Sequence, residues 1–306
     1  MISEKRLPLL TVLILAMAVL AISFSAILVR YAEAPALIIA AYRLIFTTLI
    51  IAPPTLILKR AEFKSLTLKE FGLAVAGGLF LAGHFYSWIA SLGMTSVAHS
   101  VLFVSMHPLF VIVASRVFFG EAISSRAVLG SLVALTGAII ISGGSFQAGE
   151  GTLPGDLLAL TGAVMMTGYL MVGRSLRANY STLPYTFMIY GIAAAALTVL
   201  ALTTRTPLYP YSGFTFMLFV AMAIIPTIMG HSVFNWALKR FSATLISLLF
   251  LGEPVGASLL AWFILLEQPG PIFFPGAAMV LLGLALVVLS QRGAPKPSAP
   301  DQNLPE

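Results

Sequence analysis

Residues 98–142 read AHSVLFVSMHPLFVIVASRVFFGEAISSRAVLGSLVALTGAIIIS, and residues 236–290 read WALKRFSATLISLLFLGEPVGASLLAWFILLEQPGPIFFPGAAMVLLGLALVVLS. Laid 146 residues apart, Pro108 meets Pro254, Glu121 meets Glu267, Gly130 meets Gly276 and Gly137 meets Gly283. Between these anchors both copies are apolar. Identical residues at identical spacing over 30 positions mark an internal repeat. Upstream, Trp88 and Trp236 correspond only with a two-residue gap.

The composition says what surrounds the repeat. Of 306 residues, 59% are hydrophobic and 9% charged, so the solvent for most of the chain is lipid. Apolar runs divided by short polar or Pro/Gly breaks predict ten spans: 9–29, 35–58, 71–92, 97–118, 126–143, 155–174, 184–203, 213–236, 243–265 and 272–290. Lys5 and Arg6 followed by Ala16-Met17-Ala18 imitate a signal peptide, but the apolar run from Leu7 to Val29 exceeds a signal core and reads as the first membrane helix. The Pro-rich stretch after Arg292 reads as a disordered tail over 293–306. There are no cysteines, so neither disulfides nor thiolate metal sites arise.

Charge sets orientation. With the N-terminus in the cytoplasm, 14 of the 17 Lys and Arg fall at inside edges and two, Arg30 and Arg205, outside; Arg43 lies within the second span. Both termini are then expected inside the plasma (inner) membrane. The same distribution explains the net charge of +6 without a nucleic-acid partner. Spans one to five form one copy, 1–143, and spans six to ten the other, 152–290. Five is odd, so the second copy enters the membrane the other way round. The expected fold is all-α and integral to the membrane, with ten helices in two inverted-topology repeats. The repeated glycines, seven apart on one helix face, are expected to let helix backbones approach closely.

Ionisable groups inside spans each need a reason, because burying one near the bilayer centre costs at least ~2.5 kcal/mol. His107 and Glu253 occupy equivalent places, each directly before the repeat proline, Pro108 or Pro254. Proline removes a backbone donor and disturbs the preceding turn, and helix breaks at matching places of two repeats point to a midplane binding site. The plainer reading is a kink with a satisfied polar side chain. His84 and His231 stand 147 apart on spans three and eight, with Trp88 and Asn235 one turn further on and Trp236 beside them. Together they suggest an aromatic, hydrogen-bonding cavity; buried histidines bonded to backbone carbonyls are the alternative. His99, at the start of span four, reads as interfacial. Arg43, after Tyr42, is always charged and suits a carboxylate, whether of a substrate or of Glu253; snorkelling is the rival reading. Two scattered ligands, His107 and Glu253, do not amount to a metal site, and no cofactor is implied. No phosphate loop, nucleophile elbow or metalloprotease motif is present, so the chain is not expected to be an enzyme.

The two quoted stretches resemble the end of the EamA-type repeat, with its mid-helix Pro, a Glu after the span and two glycines in the next. Ala41-Tyr42-Arg43-Leu44 resembles the arginine-containing segment of that repeat's second helix. The resemblance covers roughly residues 9–290 and points to the drug/metabolite transporter superfamily. It implies ten helices, cytoplasmic termini, a central cavity and metabolite efflux. It also implies that Glu121 and Glu267 act as helix-end caps or gates rather than as substrate ligands.

The expected function is a secondary transporter exporting amino acids or related small metabolites by alternating access. Protons are the candidate coupling ion, with Glu253 as carrier and His107 assisting. An uncoupled facilitator, or an intramembrane enzyme or assembly factor, are the rival classes. The expected partners are a small-molecule substrate and the lipid bilayer, with a homodimer left open.

Overall fold

A computed structural model describes residues 9–95, 97–120, 124–146, 153–265 and 271–290. Glu121, Glu267 and the 293–306 tail lie outside them, as does the side chain of His99.

The described chain is helical from end to end. The first repeat holds α1 (Leu9–Tyr31), α2 (Ala36–Leu58), α3 (Leu68–Ser91), a broken fourth span made of α4 (Val97–Val104) and α5 (His107–Phe119), and α6 (Ser125–Phe146). The second holds α7 (Leu153–Leu176), α8 (Thr182–Thr203), a composite eighth span, a broken ninth and α13 (Phe273–Ser290). The eighth runs through α9 (Gly213–Met222), a π-helical segment (Ala223–His231) and α10 (Ser232–Ala237). The ninth runs through α11 (Ala243–Leu249), a 3₁₀ turn (Phe250–Gly252) and α12 (Glu253–Leu265). Eight of the spans are long and apolar enough to cross a bilayer, and two shorter apolar helices, Ser125–Ile140 and Phe273–Val287, complete the ten. Every span starts and stops within three residues of the boundary read from sequence.

Helix is what this sequence must form in lipid, where each backbone donor and acceptor needs a partner within its own segment. Serine and threonine hydroxyls follow the same rule by bonding back to their own helix: Thr47 to the Arg43 carbonyl at 2.7 Å, Thr55 to Ile51 at 2.7 Å, Ser131 to Ala127 at 2.6 Å. At the polar end of α3, Thr67 and Glu70 form a reciprocal cap.

Packing shows the inversion. Helix α3 lies on α7 as the eighth span lies on α1, and α5 lies on α7 as α12 lies on α1. Helices α2 and α8 pair with each other, as do α6 and α13. Since lipid tails are as apolar as leucine, close backbone approach rather than a hydrophobic drive holds such pairs. The four repeated glycines supply it. A Cβ on Gly137 would sit 2.5 Å from the Gly276 carbonyl oxygen, and one on Gly130 would sit 2.7 Å from that of Gly283. The first glycine of each helix thus meets the second of the other, which is the antiparallel crossing that an inverted repeat dictates.

Candidate functional site

Both helix breaks fall where the repeated prolines stand. In the fourth span the helix stops at Val104 and restarts at His107, with Pro108 in its first turn. In the ninth, the 3₁₀ turn ends at Gly252 and the helix restarts at Glu253, followed by Pro254. Proline fits the first turn of a helix, where its missing N–H has no partner to lose. Each break therefore delivers one polar side chain, His107 or Glu253, as the first residue of a new half-helix.

These two side chains face one cavity, lined also by Ser25, His84, Phe85, Trp88, Ser105, His231 and Phe250. The space left open to the centre of a water molecule is about 20 Å³, room for a single water. The chamber is thus almost filled by its own side chains.

Its polar groups are held, but not all are satisfied. Arg43 is completely buried. Its Nε donates to Thr227 Oγ1 at 2.7 Å, one Nη1 hydrogen goes to Ser25 Oγ at 2.8 Å, and the guanidinium lies 4.0 Å over the Phe85 ring. Nη2 of Arg43, Nε1 of Trp88 and Nδ1 of His231 have no hydrogen-bond partner among the described residues. His84 sits 2.9 Å from the Gly162 carbonyl through Nδ1. A carbonyl only accepts, so this bond assigns the proton to Nδ1 and leaves Nε2 of the neutral ring as an acceptor. His107 Nδ1 is tied to the Val104 carbonyl at 3.0 Å in the same way.

Aromatic rings form the walls. His84 stacks parallel to Trp88 with centroids 6.5 Å apart, and His231 lies 5.1 Å from Phe85 and 5.5 Å from Phe250. Phe250 also meets His107 edge to face at 5.3 Å. Glu253 is half-buried, and its carboxylate accepts no hydrogen bond among the described residues. Arg43 is the charge that acts on it most, although the two do not close an ion pair among the described residues. The site combines an unused cationic donor, an indole donor, imidazole acceptors and a free carboxylate between aromatic faces. That set can grip a small molecule by opposite polar ends and shield its body from water.

Five of the residues singled out from sequence line the cavity, His84, Trp88, His107, His231 and Glu253, and a sixth, Arg43, stands behind two of its lining residues, Ser25 and Phe85. Three stand elsewhere. Tyr42 donates to the Leu208 carbonyl at 3.0 Å and stacks on Phe219, outside the cavity. Trp236 lies 4.4 Å beneath the Arg240 guanidinium. Asn235 is buried in a separate network, where its amide meets the hydroxyls of Tyr169 at 2.8 Å and Tyr190 at 3.0 Å. The π-helical segment that presents His231 was not legible, nor were Ser25, Ser105 and Thr227, since Ser and Thr are ordinary in membrane helices. A proline inside an apolar run, Pro226, was the one available hint.

Comparison with known proteins agrees with this architecture. The EamA-like transporter family matches the chain twice, over residues 9–143 and 153–289. A protein of Archaeoglobus fulgidus described as an uncharacterized transporter is 27% identical over 263 residues, covering 82% of this chain and 87% of its own. One solved crystal structure, 22% identical, superposes with a TM-score of 0.76 over 92% of this chain and 97% of its own, a likeness of fold. Spanning helices, a doubled repeat and two matches to the family lead to one conclusion: the chain is an integral membrane transporter and belongs to the EamA-like transporter family, within the drug/metabolite transporter superfamily.

Proposed function

We propose that this protein is a secondary active transporter that exports amino acids or related small amphipathic metabolites by alternating access, in exchange for protons. The observation that carries this reading is the narrow chamber at the two helix breaks, with unpartnered polar atoms on the Trp88 and His231 side chains that line it. Unused buried donors are costly unless a ligand or water meets them. Arg43 and Trp88 suit a carboxylate, Glu253 suits an ammonium, and Phe85, Trp88 and Phe250 suit an apolar body. A half-buried carboxylate without a fixed partner is free to take and release a proton, which makes Glu253 the carrier, with His107 across the cavity assisting. Rocking of one inverted repeat against the other would open the chamber to each side in turn. Export is the direction that the family resemblance implies, and the charge distribution would place both termini on the cytoplasmic side of the plasma membrane.

The test is accumulation in everted vesicles under an imposed pH gradient, with a panel of amino acids and metabolites, comparing wild type with Glu253→Gln. Gradient-driven accumulation of one compound class, lost in the variant, is the expected result. Flux indifferent to both gradient and substitution would replace the exchanger with an uncoupled facilitator. An untouched panel would remove the substrate assignment.

A further inference from the structure

Arg43 does not end at the chamber wall. Its partner Thr227 sits in the middle of the π-helical segment, where its hydroxyl also donates to the Met222 carbonyl at 2.8 Å. The Thr227 carbonyl accepts from Ser232 Oγ at 3.2 Å, and Ser232 Oγ lies 3.1 Å from the Tyr190 hydroxyl. That hydroxyl accepts from Asn235 Nδ2 at 3.0 Å, and the Asn235 carbonyl accepts from Arg177 Nε at 2.9 Å.

Arg177 is a second arginine with almost no exposed surface, 1%. Among the described residues no carboxylate bonds it; its remaining donors go to the Tyr180 carbonyl and to Thr182 Oγ1 at 2.9 Å. It thereby shapes the connection between α7 and α8. The outer side of that connection is held by two carboxylates of the first repeat. Glu62 accepts from the Ser181 amide at 2.8 Å and its hydroxyl at 2.7 Å, and Glu70 accepts from Asn179 and Tyr180, both at 2.9 Å. One unbroken series of contacts therefore joins the chamber to the point where the two repeats are clasped at one end of the bundle.

We propose that Tyr190 and Asn235 are positioning residues that couple the state of Arg43 in the chamber to the clasp at residues 177–182. The switching element is the π-helical segment. A π turn is the rarer winding and rewinds to α by a shift of register. Such a shift moves Thr227 away from Arg43 and carries Ser232, the residue that directly follows the segment and bonds the Thr227 carbonyl, away from Tyr190. When a substrate engages the free Nη2 of Arg43 and draws the guanidinium off Thr227, the segment loses its anchor, and Asn235 and Arg177 move with it. The clasp then loosens.

The inference rests on the reading of the cavity as the substrate chamber, but its test involves no transport. Hydrogen–deuterium exchange of the peptide covering 177–182 is measured on the full chain in lipid nanodiscs. Arg43→Gln is compared with the parent in two backgrounds, wild type and Tyr190→Phe. In the wild-type background Arg43→Gln is expected to speed exchange of this peptide by about fivefold or more. In the Tyr190→Phe background, which lacks one hydroxyl of the path, that factor should fall to nearly one. An unchanged peptide, or the same factor in both backgrounds, would overturn the coupling while leaving the chamber in place. Should Arg43→Gln speed exchange throughout α6 and α13 as well, Thr227→Val replaces it. That variant keeps both arginines and cuts the path at its first step, and the same two outcomes decide.

Discussion

The crossing of α6 with α13 and the central chamber both derive from the 146-residue repeat, yet they use it in opposite ways. At the crossing the two copies are identical: Gly130 faces Gly283 and Gly137 faces Gly276, backbone against backbone. In the chamber one matching pair, His84 and His231, is kept, but the pair at the helix breaks differs, a histidine at 107 and a carboxylate at 253. Arg43 is joined to Thr227 and Ser25, while its counterpart region in α8 supplies Tyr190, which bonds Ser232 and Asn235. The scaffold has kept its symmetry where packing needs it and lost it where chemistry does. On the proposed reading, two states related by exchanging the repeats would have similar energy, while a bound molecule would meet one acidic and one basic end.

Breaking the symmetric region should have the largest effect. Gly137→Val places a side chain against the Gly276 carbonyl and the Val280 amide, 2.5 and 2.7 Å from its Cβ, and neither backbone atom can give way. The loss is expected at the top of the ~1–3 kcal/mol typical of overpacking, or beyond it. Size-exclusion chromatography after mild heating should show most of the variant aggregated, with flux lost only in proportion to folded protein.

The asymmetric region should answer differently. Glu253→Gln keeps shape and volume, and its carboxylate holds no structural bond in the described residues, so melting should change little. Flux should nevertheless fall about 10- to 100-fold, the size of one lost charge-assisted contact to a substrate. Trp88→Phe tests the same distinction more gently. Nε1 of Trp88 has no partner, so its removal costs the fold no hydrogen bond. Flux is expected to drop several-fold, and a thermal shift of only a few degrees should accompany it. A large fall in stability with full flux per folded molecule would make Trp88 a packing residue only.

Tyr42→Phe is the peripheral control. It deletes the bond to the Leu208 carbonyl and retains the stack on Phe219. A cost of about 1 kcal/mol in stability is expected, with flux within twofold of wild type.

The smallest effect concerns pH at the clasp. Burial pushes the Glu62 carboxyl up, but the Ser181 amide and hydroxyl and the nearby Lys59 outweigh it and hold it below the usual carboxylate range. A depressed folded value contributes stability above the unfolded one, lost as pH falls through the folded one. Exchange of the 177–182 peptide, corrected for its intrinsic pH dependence, should therefore stay flat from neutral pH to the top of the ordinary carboxylate range and rise from there as pH falls towards the lower folded value. Glu62→Gln should reduce that rise and leave the part set by Glu70, which holds Asn179 and Tyr180 and whose carboxyl the Thr67 amide and the Asn179 side chain also hold low.

The sequence carried the scaffold well and the site in part, for physical reasons. Spans are legible because lipid demands runs of apolar helix of a fixed length, and the topology because prolines and glycines repeat at fixed spacing. Arg43, His84, His107, His231 and Glu253 are conspicuous because charge and imidazole are expensive in a bilayer. Side-chain direction was not legible. Asn235 stands one turn from His231, yet it meets Tyr169 and Tyr190 instead of the chamber. Arg177 looked like one of the loop cations that set orientation, and the structure buries it. Nothing in a residue's type says which hydroxyl or carbonyl of a distant helix will meet it.

The most direct test uses the absence of native cysteine. Ser105→Cys puts one thiol on the chamber wall, and counterflow of the amino acid found active in vesicles is measured in proteoliposomes before and after N-ethylmaleimide. If the chamber is the substrate route, alkylation of that single thiol stops counterflow, and the same amino acid present during alkylation slows the reaction. Undiminished counterflow after complete alkylation of residue 105 would contradict the account.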